Sequence, residues 1–280
     1  MGVLVVHGVG SQQPGYSTEL RVDVDRRLGA LGERLAWQEV HWAPVLQDRE
    51  RSLEAAMRGA RQPDGSPVRL DWQVSRSFVV HNVGDALAYH RDAHPTSAYT
   101  AAHRCVSDGV TALKAALDDR RAPVVVMAHS LGAHIMSNYL WDRQHPSRRR
   151  SDPLEPVPTL TAMITFGATI PLFSLSFEVA RPIVLPGRAV RRPALRAAAA
   201  WLNFLDRDDV LGWPLKPLYE RHLSRLTKAQ RRTVDKIADH EIGVGGLGSS
   251  WNPRSHNCYW SDDSFTRPVA AYLERLLTLV

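Results

Sequence analysis

His129-Ser130-Leu131-Gly132 directly follows the apolar run Pro123-Val-Val-Val-Met-Ala128, and apolar side chains recur after it at 131, 135, 136 and 139. A short β-branched run of this kind reads as a buried parallel strand and the later spacing as a helix, which puts Ser130 at a strand-to-helix turn. A serine lifted on such a turn can serve as a nucleophile. The first amides of the following helix point at one spot, where a developing oxyanion could be held. So tight a turn needs small neighbours. Gly132 is one, and Ala128 stands where the Gly-x-Ser-x-Gly pattern has its first glycine. An N-capping serine beside a glycine would leave the same five residues, so the rest of the chemistry must be sought elsewhere in the chain.

At the N-terminus Val3-Leu-Val-Val6 runs straight into His7-Gly8-Val9-Gly10-Ser11. Glycines at 8 and 10 let the backbone approach a ligand closely, and the Val9 amide is expected as an oxyanion donor beside that of Leu131. His7, Gly8, Gly10 and His129 are expected to line the substrate. A nucleotide loop is excluded, because no Gly-Lys-Ser/Thr follows and position 13 is Gln where a complete Gly-x-Gly-x-x-Gly needs glycine.

A serine nucleophile needs an acid and a histidine, here later in the chain and in that order. Trp201-Leu-Asn-Phe-Leu205 reads as a strand that ends in a polar loop with three aspartates, Asp206, Asp208 and Asp209. Asp209 is preferred because it lies beyond the strand end and just before an apolar loop containing Pro214. Asp206 is the alternative, and Asp208 is expected to face solvent or Arg207. For the base, His256 follows the glycine-rich stretch 243–248 in a loop position able to reach two partners, whereas His240 suits packing on a strand. Tyr259 and Trp260 read as packing residues.

With these residues in view, the chain resembles the α/β-hydrolase superfamily, and more narrowly its bacterial lipase-like and esterase-like members. The resemblance rests on His7-Gly8-Val9-Gly10, Ala128-His129-Ser130-Leu131-Gly132, the loop from Asp209-Val210 to Pro214-Leu215, and His256 with Tyr259-Trp260. It implies a Ser130, His256, Asp209 triad with an oxyanion hole from Val9 and Leu131. It further implies hydrolysis of a small-molecule or lipid carboxylic ester through an acyl-enzyme, with neither cofactor nor metal. The same triad would equally serve thioester or amide cleavage or acyl transfer, and a non-catalytic binding protein on this fold would be expected to have lost one of the three residues.

The elements that must position these groups alternate. Strands are expected at 3–7, 37–42, 123–129, 160–166, 199–205 and 240–244, and helices at 17–31, 97–119, 131–142, 217–238 and 265–279. That order predicts an α/β fold, a mostly parallel central sheet with helices on both faces, as one domain over 1–280. Residues 44–95 form a long insertion suited to a cap, with helical patterns at 48–60 and 74–91. There His81, Asp85 and Tyr89 fall at helical spacing, as a polar surface stripe or a cap face toward substrate. His90 and His94 lack the flanking residues of a metal site. Residues 171–198 mix apolar side chains, prolines and arginines, and suit either a lid touching substrate or membrane or an irregular insertion packed on the core.

A chain of 280 residues with 44% hydrophobic content can bury a core of this size. The net charge of +6 comes mainly from Arg, with only four Lys, and no nucleic-acid motif accompanies it. Arg148-Arg-Arg150 lies in a Pro-bearing stretch, 145–158, that reads as a solvated loop, with anion binding as the alternative. No stretch is long and apolar enough for a membrane span, so lipid contact would be peripheral. The first apolar run is too short for a signal peptide, and two cysteines, Cys105 and Cys258, suit a reducing compartment, so a cytoplasmic location is expected.

Overall fold

The structure is a computed structural model that describes residues 1–91, 94–119, 121–145, 154–245 and 255–280. The basic cluster at 148–150 and the end of the glycine-rich stretch, 246–248, lie outside the described residues. Six strands form the centre: β1 (Gly2–Val6), β2 (Ala36–Val40), β3 (Val124–His129), β4 (Leu160–Phe166), β5 (Trp201–Asp206) and β6 (Ile237–Ile242). The helices are α1 (Thr18–Leu28), α2 (Pro44–Arg58), α3 (Gln73–Phe78), α4 (Gly84–Ala88), α5 (Ala98–Ala115), α6 (Leu131–Gln144), α7 (Ile170–Ser174), α8 (Pro193–Ala198), α9 (Lys216–Glu220), α10 (Lys228–Val234) and α11 (Asp263–Leu277).

The strands pair in the order β2-β1-β3-β4-β5-β6, and every pairing is parallel. A sheet of this kind must be covered on both faces, which is why β1, β3 and β4 are predominantly apolar and have no exposed residue. Alternation divides them between two cores. Leu4, Val6, Val126 and Ala128 pack with α5 and α6, while Val3, Val5, Val125 and Met127 pack with Leu20 and Val24 of α1 and with Phe265, Val269 and Leu273 of α11.

Strand order also places the site. The chain moves from β1 outward to β2 and then returns across β1 to β3, so the direction of winding reverses between β1 and β3. Ligands of open parallel sheets bind outside the carboxyl ends of the strands at such a reversal. The two loops that leave there carry Gly8 to Gly10 and Ser130.

Three expectations are corrected by local chemistry. The helix expected over 217–238 is broken into α9, a 3-10 turn (Leu223–Arg225) and α10, because Thr227 and Gln230 form a reciprocal capping box that starts a new helix. The last strand consequently begins at Ile237 rather than 240. The helix expected over 74–91 is interrupted by a π turn (Val79–Val83) before α4. Arg91, at the end of the insertion, donates to Asp142 Oδ1 of α6 at 2.7 Å. In the second insertion Ile183, Leu185, Val190 and Leu195 are buried, while Leu172, Leu175 and Phe177 stay exposed. His90 and His94 turn to Leu87 O and Thr96 Oγ1. Cys105 and Cys258 are not joined. No helix among the described residues is long and apolar enough to cross a membrane.

Candidate active site

Ser130 sits between β3 and α6 at φ 52° and ψ −125°, a conformation that L residues rarely adopt. Such strain persists only where the surroundings hold it. Here the Ser130 amide donates to Phe166 O at 3.1 Å, and the Ser130 carbonyl accepts from Ala133 N at 3.0 Å. The neighbouring glycines are required by close approach. A Cβ on Gly132 would lie 2.3 Å from His7 O and 2.8 Å from Val6 O, and one on Gly8 would lie 2.7 Å from Ser130 Cβ. The start of α6 therefore rests directly on the end of β1, and the glycine loop rests on the serine.

From the other side, Ser130 Oγ lies 2.7 Å from His256 Nε2. His256 Nδ1 lies 2.9 Å from both Oδ1 and Oδ2 of Asp209. All three residues are buried. His256 is carried by a 3-10 turn (Ser255–Ser261), and Asp209 by the turn after β5, where its amide donates to Asp206 O. Glycine again makes the room: a Cβ on Gly167, at φ 55°, would meet His256 Cε1 at 2.9 Å, and one on Gly212 would meet Asp209 Oδ2 at 2.7 Å.

Burial works against the Asp209 carboxylate, but hydrogen bonds from His256, Tyr259 and the Leu211 amide outweigh it and hold its pKa below the usual value. Tyr259 packs in the core as expected, and it also forms hydrogen bonds. Its hydroxyl donates to Asp209 Oδ2 at 2.8 Å and accepts from the Asp206 amide at 2.9 Å, so it bridges the acid to the strand end. Nothing in its spacing announces this role. Asp206 instead fixes the loop, accepting from the Asp208 and Val244 amides at 2.8 and 2.7 Å, and Asp208 is exposed. His240 stacks on Phe204 from β6.

The rings of His7 and His129 are both hydrogen-bonded within the protein. His7 is fully buried and stacks on Trp42. Its Nε2 accepts from the amides of Trp42 and Ala43 at 3.1 and 3.3 Å, and its Nδ1 donates to Gly8 O at 2.8 Å. His129 Nε2 donates to the His256 carbonyl at 2.7 Å. The two rings hold the glycine loop and the histidine turn in place. Among the described residues neither the Val9 nor the Leu131 amide has an acceptor within the protein. Both amides are thus available to a ligand, as the first amides of a helix ordinarily are.

Burial lowers the pKa of His7, His129 and His134 to about 3, below the ordinary 6.5, so the folded chain keeps all three neutral. The unfolded chain binds their protons below the ordinary value, so stability must fall as pH falls. Each contributes about 1.4 kcal/mol per pH unit once the unfolded ring is protonated. The melting temperature, followed by circular dichroism, is expected to drop steeply from about pH 7 to about pH 5; an unchanged melting temperature over that range would contradict the buried neutral rings.

No family model and no curated protein sequence matches the chain. Among solved structures, it is similar to a candidate hydrolase of the alpha/beta superfamily from Xanthomonas campestris pv. campestris. The identity is 13% and the TM-score 0.36, covering 96% of this chain and 98% of that one. It is also similar to a soluble variant of monoglyceride lipase from Saccharomyces cerevisiae, solved with a substrate analogue. There the identity is 12% and the TM-score 0.37, covering 99% of this chain and 85% of that one. Likenesses this distant say nothing about activity, and the site must be judged on its own geometry.

Proposed function

We propose that the chain is a serine hydrolase of the α/β-hydrolase type that cleaves carboxylic esters. The observation that carries this reading is the buried hydrogen-bonded series from Ser130 Oγ through His256 to Asp209, with contacts of 2.7 and 2.9 Å. In this reading His256 Nε2 takes the proton as Ser130 Oγ attacks the ester carbonyl. Asp209 accepts from Nδ1–H, which fixes the tautomer and stabilises the imidazolium. The amides of Val9 and Leu131 receive the oxyanion. His256 then returns the proton to the leaving alkoxide, an alcohol departs, and the acyl group remains on Ser130. A water deprotonated by His256 attacks that ester, releasing the carboxylic acid and restoring the serine.

An apolar acyl group is supported by the rim. Leu172, Leu175 and Phe177 after β4, and Val210 and Trp213 after β5, are exposed near the strand ends from which the site is built. The Trp213 amide donates to Ala168 O at 3.3 Å, which brings the two loops together. Hydrolysis of p-nitrophenyl esters from acetate to palmitate tests the reading. The parent protein is expected to turn over esters with a chain-length optimum, and Ser130→Ala to be inactive on all of them. A parent inactive on the whole series, or a fully active Ser130→Ala, would reject ester hydrolysis.

Tyr259 gives a subtler expectation. A hydrogen bond to a charged group is worth about 1.5–3 kcal/mol, so Tyr259→Phe is expected to lower kcat roughly tenfold or more with little change in KM. Steady-state kinetics at constant folded fraction checks this, and a kcat equal to the parent's would remove Tyr259 from the acid's support.

A further inference from the structure

β5 carries a polar residue where a strand covered on both faces calls for an apolar one. Asn203 is fully buried at the middle of the strand. A buried carboxamide is costly unless its oxygen and its two N–H groups find partners, and here they do. The parallel register sets Thr165 of β4, Asn203 and Asp239 of β6 side by side across neighbouring strands. Thr165 Oγ1, which accepts from Trp201 Nε1 at 3.1 Å, donates to Asn203 Oδ1 at 2.8 Å. Asn203 Nδ2 donates to Asp239 Oδ1 at 2.8 Å and to the Trp213 carbonyl at 3.0 Å. Asp239 turns to the same stretch of chain: its Oδ1 accepts from the Leu215 amide at 2.8 Å and its Oδ2 from the Lys216 amide at 2.9 Å. The polar row therefore ends on the backbone of 213–216, where the loop that carries Asp209 returns to the sheet.

Asp209 thus lies between two anchors. On one side Asp206 holds the outgoing chain, its carboxylate accepting from the Asp208 and Val244 amides and its carbonyl from the Asp209 amide. On the other, Asn203 and Asp239 hold the returning chain. The links from that second anchor back to the acid are short. The Leu211 amide donates to Asp209 Oδ1 at 3.0 Å, and the Gly212 amide to Asp209 O at 3.1 Å. Space is equally tight, since a Cβ on Gly212 would lie 2.7 Å from Asp209 Oδ2. A shift of the returning chain is therefore felt at the carboxylate. Apolar contact alone, such as that of the buried Leu215, would cover the sheet without fixing where the backbone above it lies. Hydrogen bonds have direction and do fix it.

We propose that the row Thr165-Asn203-Asp239 sets the position of Asp209, and that Asn203 is a positioning residue which acts on the reaction through the acid. The inference rests on the ester-hydrolase reading. With the row broken, the returning chain slides over β5 and β6, and the carboxylate no longer meets His256 Nδ1 and the Tyr259 hydroxyl together. The imidazole then loses its orientation while Ser130, the oxyanion amides and the apolar rim remain.

The test is a double-mutant cycle of the parent, Asn203→Ala, Asp209→Ala and the combined variant. It reads kcat and KM on p-nitrophenyl acetate at constant folded fraction, with amide hydrogen exchange alongside. Asn203→Ala is expected to lower kcat by about ten- to a hundredfold with KM little changed, the scale of a catalytic group misplaced by about an ångström. In the Asp209→Ala background the same change is expected to cost less than about threefold, because the residue it acts through is gone. The amides of 207–216 are expected to exchange faster in Asn203→Ala than in the parent. If Asn203→Ala does not fold, Asp239→Asn takes its place in the cycle. That change is half-buried and removes one acceptor, so a fall in kcat of roughly three- to tenfold is expected, with the same dependence on Asp209. A parental kcat, a loss confined to KM, an equal loss with and without Asp209, or unchanged exchange over 207–216 would overturn the proposal. Failure of the underlying reading looks different: the parent itself would hydrolyse no ester, while the exchange of 207–216 would still decide whether the row holds the loop.

Discussion

Ser130→Ala is expected to lower kcat for ester hydrolysis by about 10⁴- to 10⁶-fold while leaving the fold intact. The magnitude is that of losing a nucleophile whose neighbours act only through it. His256→Ala should be comparable, since without Nε2 at 2.7 Å the Ser130 proton has no acceptor. Combining the two changes should add little to either. Asp209→Ala should cost somewhat less, about 10⁴-fold, because a misoriented imidazole still retains some basicity. Steady-state kcat on one chromogenic ester, with each variant's melting temperature alongside, checks the set. A kcat in Ser130→Ala within tenfold of the parent's would contradict it.

Gly132→Ala carries the largest expected effect on stability. The added Cβ would stand 2.3 Å from His7 O and 2.8 Å from Val6 O, and both are backbone atoms that no rotamer change can move aside. Overpacking of this kind typically costs about 1–3 kcal/mol and occasionally more; with backbone on both sides the upper end, about 3 kcal/mol, is expected. That corresponds to a melting temperature lower by roughly 6–12 °C for a domain of this size. Gly243→Ala is the control. No atom lies within 4 Å of its Cβ position, so the change should stay within about 0.5 kcal/mol. Equal melting temperatures for the two variants would show that the elbow does not need its glycine.

The strand-to-helix turn at Ser130 and the glycine loop were legible because each is written in contiguous residues directly after an apolar run. The sheet was legible for the same reason, since β1 is an unbroken apolar run and β3 and β4 are predominantly apolar. Orientation was not. His7 and His129 were placed near the serine by sequence, but which way an imidazole turns depends on the Trp42 and Ala43 amides and the His256 carbonyl. Tyr259 was hidden because its value lies in one hydroxyl bridging two residues of a loop about fifty positions earlier. The spacing of His81, Asp85 and Tyr89 gave a helix face without a partner, and Glu50, which accepts from His81 Nδ1 at 2.7 Å, belongs to another helix. The break before α10 was written in Thr227 and Gln230, but the apolar periodicity across 217–238 outweighed it.

The central claim is that Ser130 is a nucleophile activated by His256. It is tested most directly by treating the parent protein with an alkyl fluorophosphonate and mapping the adduct by peptide mass spectrometry. The expected result is one adduct, on Ser130, absent from Ser130→Ala and much slower to form in His256→Ala. A parent that stays unlabelled, or one labelled at another residue while Ser130 remains free, would contradict it.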